Sequence, residues 1–442
     1  MRTATLRRTM MAGILAMAVG ISALGVSSAA PAAKLEIFSW WTAGGEADAL
    51  KALLDVYHKH YPNVTIVNAT VAGGAGTNAK AVLKTRMIGG NPPDSFQVHA
   101  GHELIDTWVT ASYMAPLTAL FKSEGWDKSM PVGLLDILAY AVKNTSANSN
   151  LARADMHWYA YKADLWSVPV NIHRANVLWY NKKVFADAHL TPPTTFQAFF
   201  QAAAALKAKG IVPFVLGDKE GWEAGHTFET VLIGTLGADA YTGLWNGRTP
   251  WTSPKVTEAL ETFKRMLTYA NSDHAALTWD GAAEYITSGK GAMLIMGDWA
   301  NGWFTSKKFT NYGWVPAPGN EDIYDALSDS FGLPKRARDT DAAMAWLRLL
   351  GSREGQESFN PLKGSICSRT DCSPNLFSPY QQWAMTHWKS DTIAPSVIHG
   401  AAASEGWTTE YKDAIALFVT SRDTAGTQKA LQKACVDAGV CK

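Results

Sequence analysis

The sequence predicts an α/β fold. Short apolar runs of strand length alternate along the chain with longer segments whose apolar residues recur at helical spacing, and this alternation is typical of α/β proteins. The 442 residues are 47% hydrophobic and 18% charged, which indicates a folded chain that is long enough for two or three domains.

The first unit of this pattern is a strand, two adjacent tryptophans and a helix. Residues 34–38, KLEIF, predict a short buried strand, and Trp40 and Trp41 follow it. A turn over residues 42–46 then leads into a helix with apolar positions at Leu50, Leu53, Leu54 and Tyr57. Ligands of open α/β sheets sit beyond the carboxyl ends of the strands, where indole rings can stack on a sugar. The alternative is that both tryptophans pack in the core or in a lid.

The second unit contains a glycine-rich turn. Residues 64–70 alternate as a strand, and residues 78–88 predict a helix. The glycines between them, in residues 72–76, match neither the GxxxxGK[ST] nor the GxGxxG phosphate-binding pattern. We therefore expect a flexible turn at the mouth of a cleft.

The third predicted strand, residues 95–101, carries two polar side chains. Gln97 and His99 are two residues apart and project from the same face, where they are placed to hydrogen-bond a ligand. The alternative is that both are ordinary polar residues with protein partners. His102 and Glu103 follow, but the order HxxHE matches no zinc-protease motif, and we expect neither a metal site nor a cofactor.

The middle of the chain continues the pattern. Residues 143–162 are polar and irregular, which indicates a surface insertion or an edge hairpin. The apolar stretches within residues 165–185 predict a strand region, and Thr194 or Thr195 is placed to cap the helix that opens at Phe196.

Residues 1–33 have the composition of a cleaved signal peptide. A basic head, MRTATLRR, precedes an apolar run over residues 10–26, and Ala30 and Ala32 form an A-x-A-like cleavage site. Without the three arginines of this leader, 37 basic residues face 39 acidic ones, so the mature chain offers no polycationic face for nucleic acid. We expect an exported, soluble protein.

The four cysteines, Cys367, Cys372, Cys435 and Cys441, all lie late in the chain. An even number of cysteines in an exported protein predicts two disulfides, with three possible connectivities. The short spacings favour the local pairs Cys367–Cys372 and Cys435–Cys441 over the two crossed arrangements. Neither spacing matches a CxxC zinc or redox motif.

Several segments between residues 180 and 366 resemble one bacterial family. They are YNKKVF and LTPPTTF within residues 180–196, GKGAM and MGDW within 289–299, WVPAPG at 314–319, SDSFGLPK at 328–335 and FNPLKGSI at 359–366. Together they resemble the bacterial extracellular solute-binding proteins of sugar ABC transporters, and the resemblance covers essentially all of the mature chain. The glucose-binding subgroup of that family also carries Trp-Trp near its mature start and QVHAG in its third strand.

The resemblance implies a two-lobe periplasmic-binding-protein fold, in which two α/β sandwich domains are joined by a hinge and enclose a ligand cleft. Residues 1–33 would be the signal peptide. The N-terminal lobe would hold residues 34–168 and 325–355, and the C-terminal lobe residues 169–324 and 356–442. The resemblance also implies a periplasmic monomer that is not an enzyme and that delivers its ligand to permease subunits in the inner membrane.

The resemblance also nominates ligand-binding residues on both lobes. Trp41, Trp279 and Trp299 would stack on a sugar or wall it in, with Trp40 next in line. If the first strand continued through the two adjacent tryptophans, they would point opposite ways, and we favour Trp41. The hydrogen-bonding residues would be Glu46, Gln97, His99, Asp329, Lys363 and His399.

Each nominated residue also has an alternative role. The tryptophans could pack in the core, Asp329 could cap a turn, Lys363 could be solvated and His399 could be structural. A disulfide between Cys367 and Cys372 would lie beside the loop after Lys363 and could reshape it.

We expect a receptor for a monosaccharide, glucose or galactose. A neutral hexose needs aromatic planes for its C–H faces and charged or amide groups for its hydroxyls. A disaccharide or another small polar solute is the alternative ligand. A secreted glycoside hydrolase is the alternative activity, but it needs two carboxylates across one bond, whereas the nominated site offers Asp329 and Glu46 beside lysine and histidine.

Overall fold

The computed structural model describes residues 33–144, 146–148 and 157–442. Strands and helices alternate through most of this part, which confirms the α/β prediction. The predicted signal peptide lies outside the described residues except for Ala33, as does part of the predicted insertion at 143–162. No helix within the described ranges is long and apolar enough to cross a membrane.

The structure gives the following element bounds. The strands are β1 (Lys34–Phe38), β2 (Thr65–Asn68), β3 (Ser95–His99), β4 (Ala139–Tyr140), β5 (Asp164–Leu165), β6 (Ser167–Pro169), β7 (His173–Arg174), β8 (Val177–Asn181), β9 (Val212–Val215), β10 (Gly291–Ile295), β11 (Tyr312–Pro316), β12 (Ile323–Leu327), β13 (Asp329–Gly332) and β14 (Thr392–Pro395). The helices are α1 (Gly44–His60), α2 (Thr77–Ile88), α3 (His102–Leu104), α4 (Thr118–Ser123), α5 (Trp126–Ser129), α6 (Val132–Ile137), α7 (Lys182–Asp187), α8 (Phe196–Ala208), α9 (Trp222–Leu236), α10 (Ala238–Trp245), α11 (Pro254–Met266), α12 (Trp279–Thr287), α13 (Trp299–Ser306), α14 (Thr340–Gly351), α15 (Arg353–Lys363), α16 (Pro379–Ser390), α17 (Glu405–Ser421) and α18 (Thr424–Asp437).

The first sheet has five strands in the order β2-β1-β3-β13-β6. Strands β1, β2 and β3 are parallel, whereas β13 runs antiparallel to both β3 and β6. The register places Asp329, the first residue of β13, opposite His99, the last residue of β3. This pairing brings a late segment of the chain to the carboxyl end of β3.

The remaining strands form smaller sheets. One has four strands in the order β11-β8-β10-β9, another has three in the order β14-β12-β7, and β4 pairs with β5. Helices α9 and α13 start beyond the ends of β9 and β10 respectively. Their first residues therefore lie at strand ends, which is where open α/β sheets hold ligands.

The buried apolar side chains of the described residues divide into two clusters. The first cluster draws on residues 35–170, residues 331–350 and Phe359. The second draws on residues 172–327, residues 366–435 and Leu134. Within residues 157–442 the chain passes between the clusters near 171, near 328–330 and near 360–365. The lobe boundaries given above stay a prediction.

The three crossing segments are hydrogen-bonded to one another. The Asn171 side chain accepts from the Asp329 backbone N–H at 2.8 Å, and the Ser328 hydroxyl donates to the Asn171 carbonyl at 2.7 Å. The backbones of Ile172 and Ile366 exchange two hydrogen bonds, at 2.8 Å and 3.1 Å. The crossings thus form one connected polar layer between the clusters.

The local predictions differ from the structure mainly in element length. Strands β2 and β3 are shorter than predicted, and α2 begins at Thr77, directly after the glycine-rich turn. Thr195 is the residue that caps α8, because its hydroxyl accepts from the backbone N–H of Ala198 at 3.1 Å. The cysteines form the two local pairs, Cys367–Cys372 and Cys435–Cys441.

Candidate ligand-binding site

A cavity is lined by residues from both clusters. Its lining combines indole rings, imidazole rings, carboxylates and one ammonium group. The lining residues are Trp40, Glu46, Ala75, His99, His173, Trp222, Trp279, Trp299, Leu327, Asp329, Lys363 and His399. Most of the residues nominated from the sequence are therefore brought together in one place.

Asp329 is buried at the start of β13, and hydrogen-bond donors surround its carboxylate. Gln97 Nε2 donates to Oδ1 at 2.8 Å, and Asn171 Nδ2 donates to Oδ2 at 2.9 Å. His173 Nε2 lies 3.0 Å from the same Oδ2. Burial alone would raise the pKa of Asp329, but the hydrogen bond with His173 and the charge of Lys363 hold it well below its usual range. The site therefore contains an ionised carboxylate whose direction is fixed.

Lys363 ends helix α15 and is buried. Its Nζ donates to Glu46 Oε1 at 2.6 Å, and Glu46 lies in the first turn of α1. The same Nζ lies 5.7 Å from the ring centre of Trp41 and 5.8 Å from that of Trp299. The ammonium group is thus held by one carboxylate and two aromatic rings, and it faces the cavity with its orientation already set.

His99 ends β3, and Glu103 fixes its ring. His99 Nδ1 lies 2.7 Å from Glu103 Oε2, and Lys80 Nζ lies 2.7 Å from the same oxygen. Burial would raise the pKa of Glu103, but Lys80 and His99 lower it to about 2. Because this carboxylate takes the Nδ1 side of the ring, His99 Nε2 is directed toward Asp329, 3.7 Å from Oδ1.

Four tryptophans form walls of the cavity. Trp222, Trp279 and Trp299 are the first residues of α9, α12 and α13, and Trp40 lies two residues after β1. The ring centres of Trp222 and Trp299 are 6.2 Å apart. Helix starts and strand ends therefore place the indole rings together, and indoles combine a flat apolar face with one hydrogen-bond donor.

Two further histidines lie beside Trp299. His399 follows β14, and its Nδ1 is 2.8 Å from the Ser396 hydroxyl. The rings of His399 and His226 meet edge-on with centres 5.6 Å apart. Burial lowers the pKa of His399 well below its usual value and that of His226 to about 3. Both rings are therefore neutral near pH 7.

One group of described residues has the composition of a metal site. Ligand atoms of His226, Glu229 and His399 lie within 4.8 Å of one another. The Glu229 carboxylate already accepts from the Tyr241 hydroxyl at 2.6 Å and from the Ser396 hydroxyl at 3.1 Å. A metal ion at this group would therefore compete with these two hydroxyls for the Glu229 carboxylate.

The glycine-rich turn covers one side of the cavity. The Gly74 backbone N–H donates to Glu220 Oε2 at 2.7 Å, and Trp222 Nε1 donates to the same oxygen at 3.2 Å. A Cβ atom on Gly74 would lie 2.6 Å from that oxygen and 2.7 Å from Trp222 Nε1, so this approach needs glycine. The neighbouring Ala75, at φ +48°, lines the cavity.

The comparisons with known proteins decide the family. A family model described as bacterial extracellular solute-binding protein matches residues 43–357. The chain belongs to this family. An uncharacterised ABC transporter extracellular-binding protein from Pyrococcus horikoshii is 37% identical over 397 residues, which is 88% of this chain and 84% of that protein. A probable sugar-binding periplasmic protein from Mesorhizobium japonicum is 29% identical over 426 residues, which is 94% of each chain.

A solved structure agrees with the architecture of this solute-binding protein. The bacterial solute receptor AcbH, whose structure is described with an exclusive preference for β-D-galactopyranose, superposes with a TM-score of 0.74 at 19% identity. The match covers 92% of this chain and 99% of that one. At this identity the likeness shows the fold alone, and it confirms the predicted two-lobe fold with two α/β domains around a cleft.

Two nominated residues of this solute-binding protein do not line the cavity. Trp41 packs on Phe359, with ring centres 4.8 Å apart, and the structure places Trp40 rather than Trp41 at the cavity. One of the two tryptophans lines the cavity, as expected, but it is Trp40 and not the favoured Trp41, and β1 ends at Phe38, before either of them. Gln97 lies behind the lining and holds Asp329. The binding roles of all the nominated residues stay predictions.

Several lining residues of this solute-binding protein are not predicted from the sequence. They are Ala75, His173, Trp222 and Leu327. For His173 a signal was present, because Asn171 and His173 are polar residues two apart within the apolar run VPVNIH, as are Gln97 and His99 in FQVH. Both pairs reach Asp329. The same alternation that nominated the first pair would have found the second.

Proposed function

We propose that this protein is the substrate-binding component of an ABC sugar importer and that it captures one monosaccharide, glucose or galactose. The observation that carries the proposal is the cavity lining, in which tryptophan faces stand beside charged side chains that protein partners already hold in place. The sugar-binding name of the relative from Mesorhizobium japonicum supports the ligand class.

The polar groups suit the hydroxyls of a sugar. Asp329 would accept from sugar hydroxyls, and Lys363 and His399 would donate or share protons with them. Hydrogen bonds to charged groups are stronger than those between neutral groups, and a buried charged group left without its hydroxyl partner costs affinity. Because Gln97 holds Asp329 and Glu46 holds Lys363, the binding energy is not spent on ordering these two side chains.

The cover over the cavity favours one sugar ring. The turn around Gly74 and the Trp222 ring cover one side of the cavity, because both bond to Glu220. A disaccharide is the alternative ligand, and it would require this cover to move.

We propose that binding proceeds by closure of two lobes. The N-terminal lobe would hold residues 34–168 and 325–355, and the C-terminal lobe residues 169–324 and 356–442. The three crossing segments would be the hinge, and closure would bring groups of both lobes onto one ligand, as in other two-state hinge movements. The position of Asp329 on a crossing segment links ligand contact to the hinge directly.

The two carboxylates of the lining do not suit glycoside hydrolysis. That reaction needs one carboxyl group with a raised pKa to act as an acid and a second carboxylate across the bond. Asp329 instead has a lowered pKa, and Glu46 forms a 2.6 Å hydrogen bond with Lys363. The family consists of solute-binding proteins, which supports a role in binding rather than catalysis.

The proposed setting is the periplasm. We propose that residues 1–33 are removed as a signal peptide and that the mature chain works as a monomer. After closing on the sugar it would dock on permease subunits in the inner membrane. The name of the relative from Pyrococcus horikoshii, an extracellular-binding protein of an ABC transporter, supports that partner.

Isothermal titration calorimetry of the purified mature chain tests the ligand. The panel is glucose, galactose, mannose, xylose, maltose and sucrose. We expect one-to-one binding of glucose or galactose and no heat of binding from maltose. Binding of maltose or sucrose alone would be consistent with the transport role but would contradict a monosaccharide ligand. No heat of binding from any of these sugars would contradict the proposal that the ligand is a sugar.

A further inference from the structure

His173 lies between two buried carboxylates. Its Nδ1 is hydrogen-bonded to Asp298 Oδ1, and its Nε2 lies 3.0 Å from Asp329 Oδ2. The exposed fractions of Asp298, His173 and Asp329 are 0%, 1% and 2%, so bulk water has little access to these groups. The ring stands edge-on to Trp299, with centres 5.4 Å apart.

The geometry restricts the protonation of the ring. Ionised carboxylates only accept hydrogen bonds, so a ring with a carboxylate at each nitrogen must carry a proton on both. A neutral ring would direct a lone pair at either Asp298 or Asp329. Asp298 cannot turn away without loss, because its Oδ2 accepts the backbone N–H of Arg174 at 3.0 Å.

The charges around the cavity also favour a doubly protonated His173. Lys80 pairs with Glu103 at 2.7 Å, and Lys363 pairs with Glu46 at 2.6 Å. Asp298 and Asp329 are left without a lysine paired to them in this way, and buried charges need partners of opposite sign.

The nearby Arg174 does not supply the missing charge. Its guanidinium bonds to Asp391 at 3.0 Å and to the carbonyl of Ile323 at 2.8 Å. His173 is therefore the group in the described part of the site that lies against both remaining carboxylates.

We infer that His173 is a positioning residue that carries a positive charge and holds Asp329 in the orientation that receives the sugar. The part of this inference that concerns sugar affinity rests on the proposed function. His173 also connects residues from the two sides of the cavity. Asp298 follows β10, whose side chains belong to the second cluster, whereas Asp329 begins β13 of the first sheet. The Asp298–His173–Asp329 chain thus connects the sugar acceptor to the start of helix α13.

The groups that face His173 support a charged ring. Burial alone would lower the pKa of His173, and the charge of Lys363 lowers it further, but Asp298 and Asp329 together raise it above its usual value. Two other histidines lie close to this array: His99 faces Asp329, and His173 itself helps to lower the pKa of His399. As pH rises through the pKa of His173 the ring loses its charge, so affinity should fall on the alkaline side.

One contact offers the opposite assignment. Asn171 Nδ2 lies 2.9 Å from His173 Nε2 as well as 2.9 Å from Asp329 Oδ2. Its orientation is fixed, because Asn171 Oδ1 accepts the Asp329 backbone N–H. A neutral ring that accepted from Asn171 would carry one proton only, so the number of protons on the ring distinguishes the two assignments.

The first test is nitrogen NMR of the ring in wild-type protein without sugar. Uniformly ¹⁵N-labelled protein is titrated from neutral pH upward, because the pKa of His173 is raised above its usual value. We expect both nitrogens of His173 to be protonated at neutral pH. One protonated and one bare nitrogen would overturn the inference, whether or not any sugar binds.

The second test is the pH profile of glucose affinity in His173→Gln. We expect the variant to bind about tenfold more weakly at pH 7, since hydrogen bonds to charged groups are the stronger ones, and to lose the alkaline decline of the wild type. His102→Gln is the matched control, because His102 also bonds an aspartate at 2.8 Å but is half-exposed and lies outside the cavity. An alkaline decline that persists in His173→Gln would overturn the positioning role, and failure of wild type to bind any sugar would instead contradict the proposed function.

Discussion

Two regions of the molecule bury carboxylates to a similar degree but shift their pKa values in opposite directions. Asp329 in the cavity and Glu229 on α9 are 2% and 0% exposed. Asp329 has a cation and a histidine beside it, and its pKa is lowered. Glu229 receives neutral donors, including the hydroxyls of Tyr241 and Ser396, and burial raises its pKa to about 7.

The contrast continues at Asp325 on β12. Neither carboxylate oxygen of Asp325 has a hydrogen-bond partner within the described residues, and burial together with the charge of Glu229 raises its pKa well above the usual value. The difference shows that burial alone does not make a binding carboxylate. What distinguishes Asp329 is a set of charged and amide donors that keep it ionised and pointed at the cavity.

The largest expected effect is that of Asp329→Asn. Removing the charge leaves His173 and Lys363 buried beside a neutral amide, so we expect sugar affinity to fall at least about a hundredfold and the free energy of unfolding to drop by about 3 kcal/mol. Calorimetry and urea unfolding measure the two effects. The exposed Asp187→Asn, which removes a surface pair with Lys183, should change neither. Equal sugar affinity in Asp329→Asn and Asp187→Asn would contradict the proposal that the ionised Asp329 binds the sugar.

The next effect is that of Lys363→Met. It leaves Glu46 without its ammonium partner, and we expect the free energy of unfolding to fall by about 2 kcal/mol, since a buried charged group left unpaired costs this order of energy. The double variant Lys363→Met/Glu46→Gln should recover most of that loss without recovering sugar binding. Urea unfolding of the three proteins checks the prediction, and no recovery in the double variant would contradict the pairing.

A smaller effect is expected at the glycine-rich turn. Glu220→Gln weakens the bonds from Gly74 and Trp222 that cover the cavity, and we expect sugar release to become about threefold faster with little change in stability. Stopped-flow tryptophan fluorescence measures the release rate. Glu258→Gln, which breaks an exposed pair with Lys255, is the control, and the same acceleration there would show that the turn is not the cause.

A further effect concerns the dependence of stability on pH through Glu229. A raised folded-state pKa gives Glu229 a stabilising contribution that is present below its unfolded pKa and is lost as pH rises through about 7. The slope of unfolding free energy against pH, at most about 1.4 kcal/mol per pH unit for one proton, should therefore become shallower in Glu229→Gln between about pH 5 and about pH 8. An unchanged slope would place the titration on Asp325 or elsewhere.

The charged part of the cavity could largely be predicted because it lies in short segments that resemble those of the family. Asp329 in SDSF and Lys363 in NPLKGSI are nominated through that resemblance, and the alternation of β3 puts Gln97 and His99 on one face. The structure places three of these four in the lining and Gln97 directly behind Asp329.

The other parts of the site depend on contacts between segments that are far apart in the sequence, and no local pattern predicts such contacts. Trp222 is one of 18 tryptophans, and it reaches the cavity only because α9 starts beside the turn at Gly74. The partner of His173 is Asp298, 125 residues away. Strand alternation says only that Trp40 and Trp41 point opposite ways, whereas the choice between them depends on the packing of Trp41 against Phe331 and Phe359, far along the chain.

The most direct test is one set of glucose titrations by calorimetry on wild type, Asp329→Asn and Glu229→Gln at pH 7. We predict one-to-one binding by wild type, loss of binding in Asp329→Asn and affinity within about threefold of wild type in Glu229→Gln. That result would show that the cationic and amide surroundings of Asp329, rather than burial, make it the sugar acceptor. Retained binding in Asp329→Asn, or equal loss in both variants, would contradict the account.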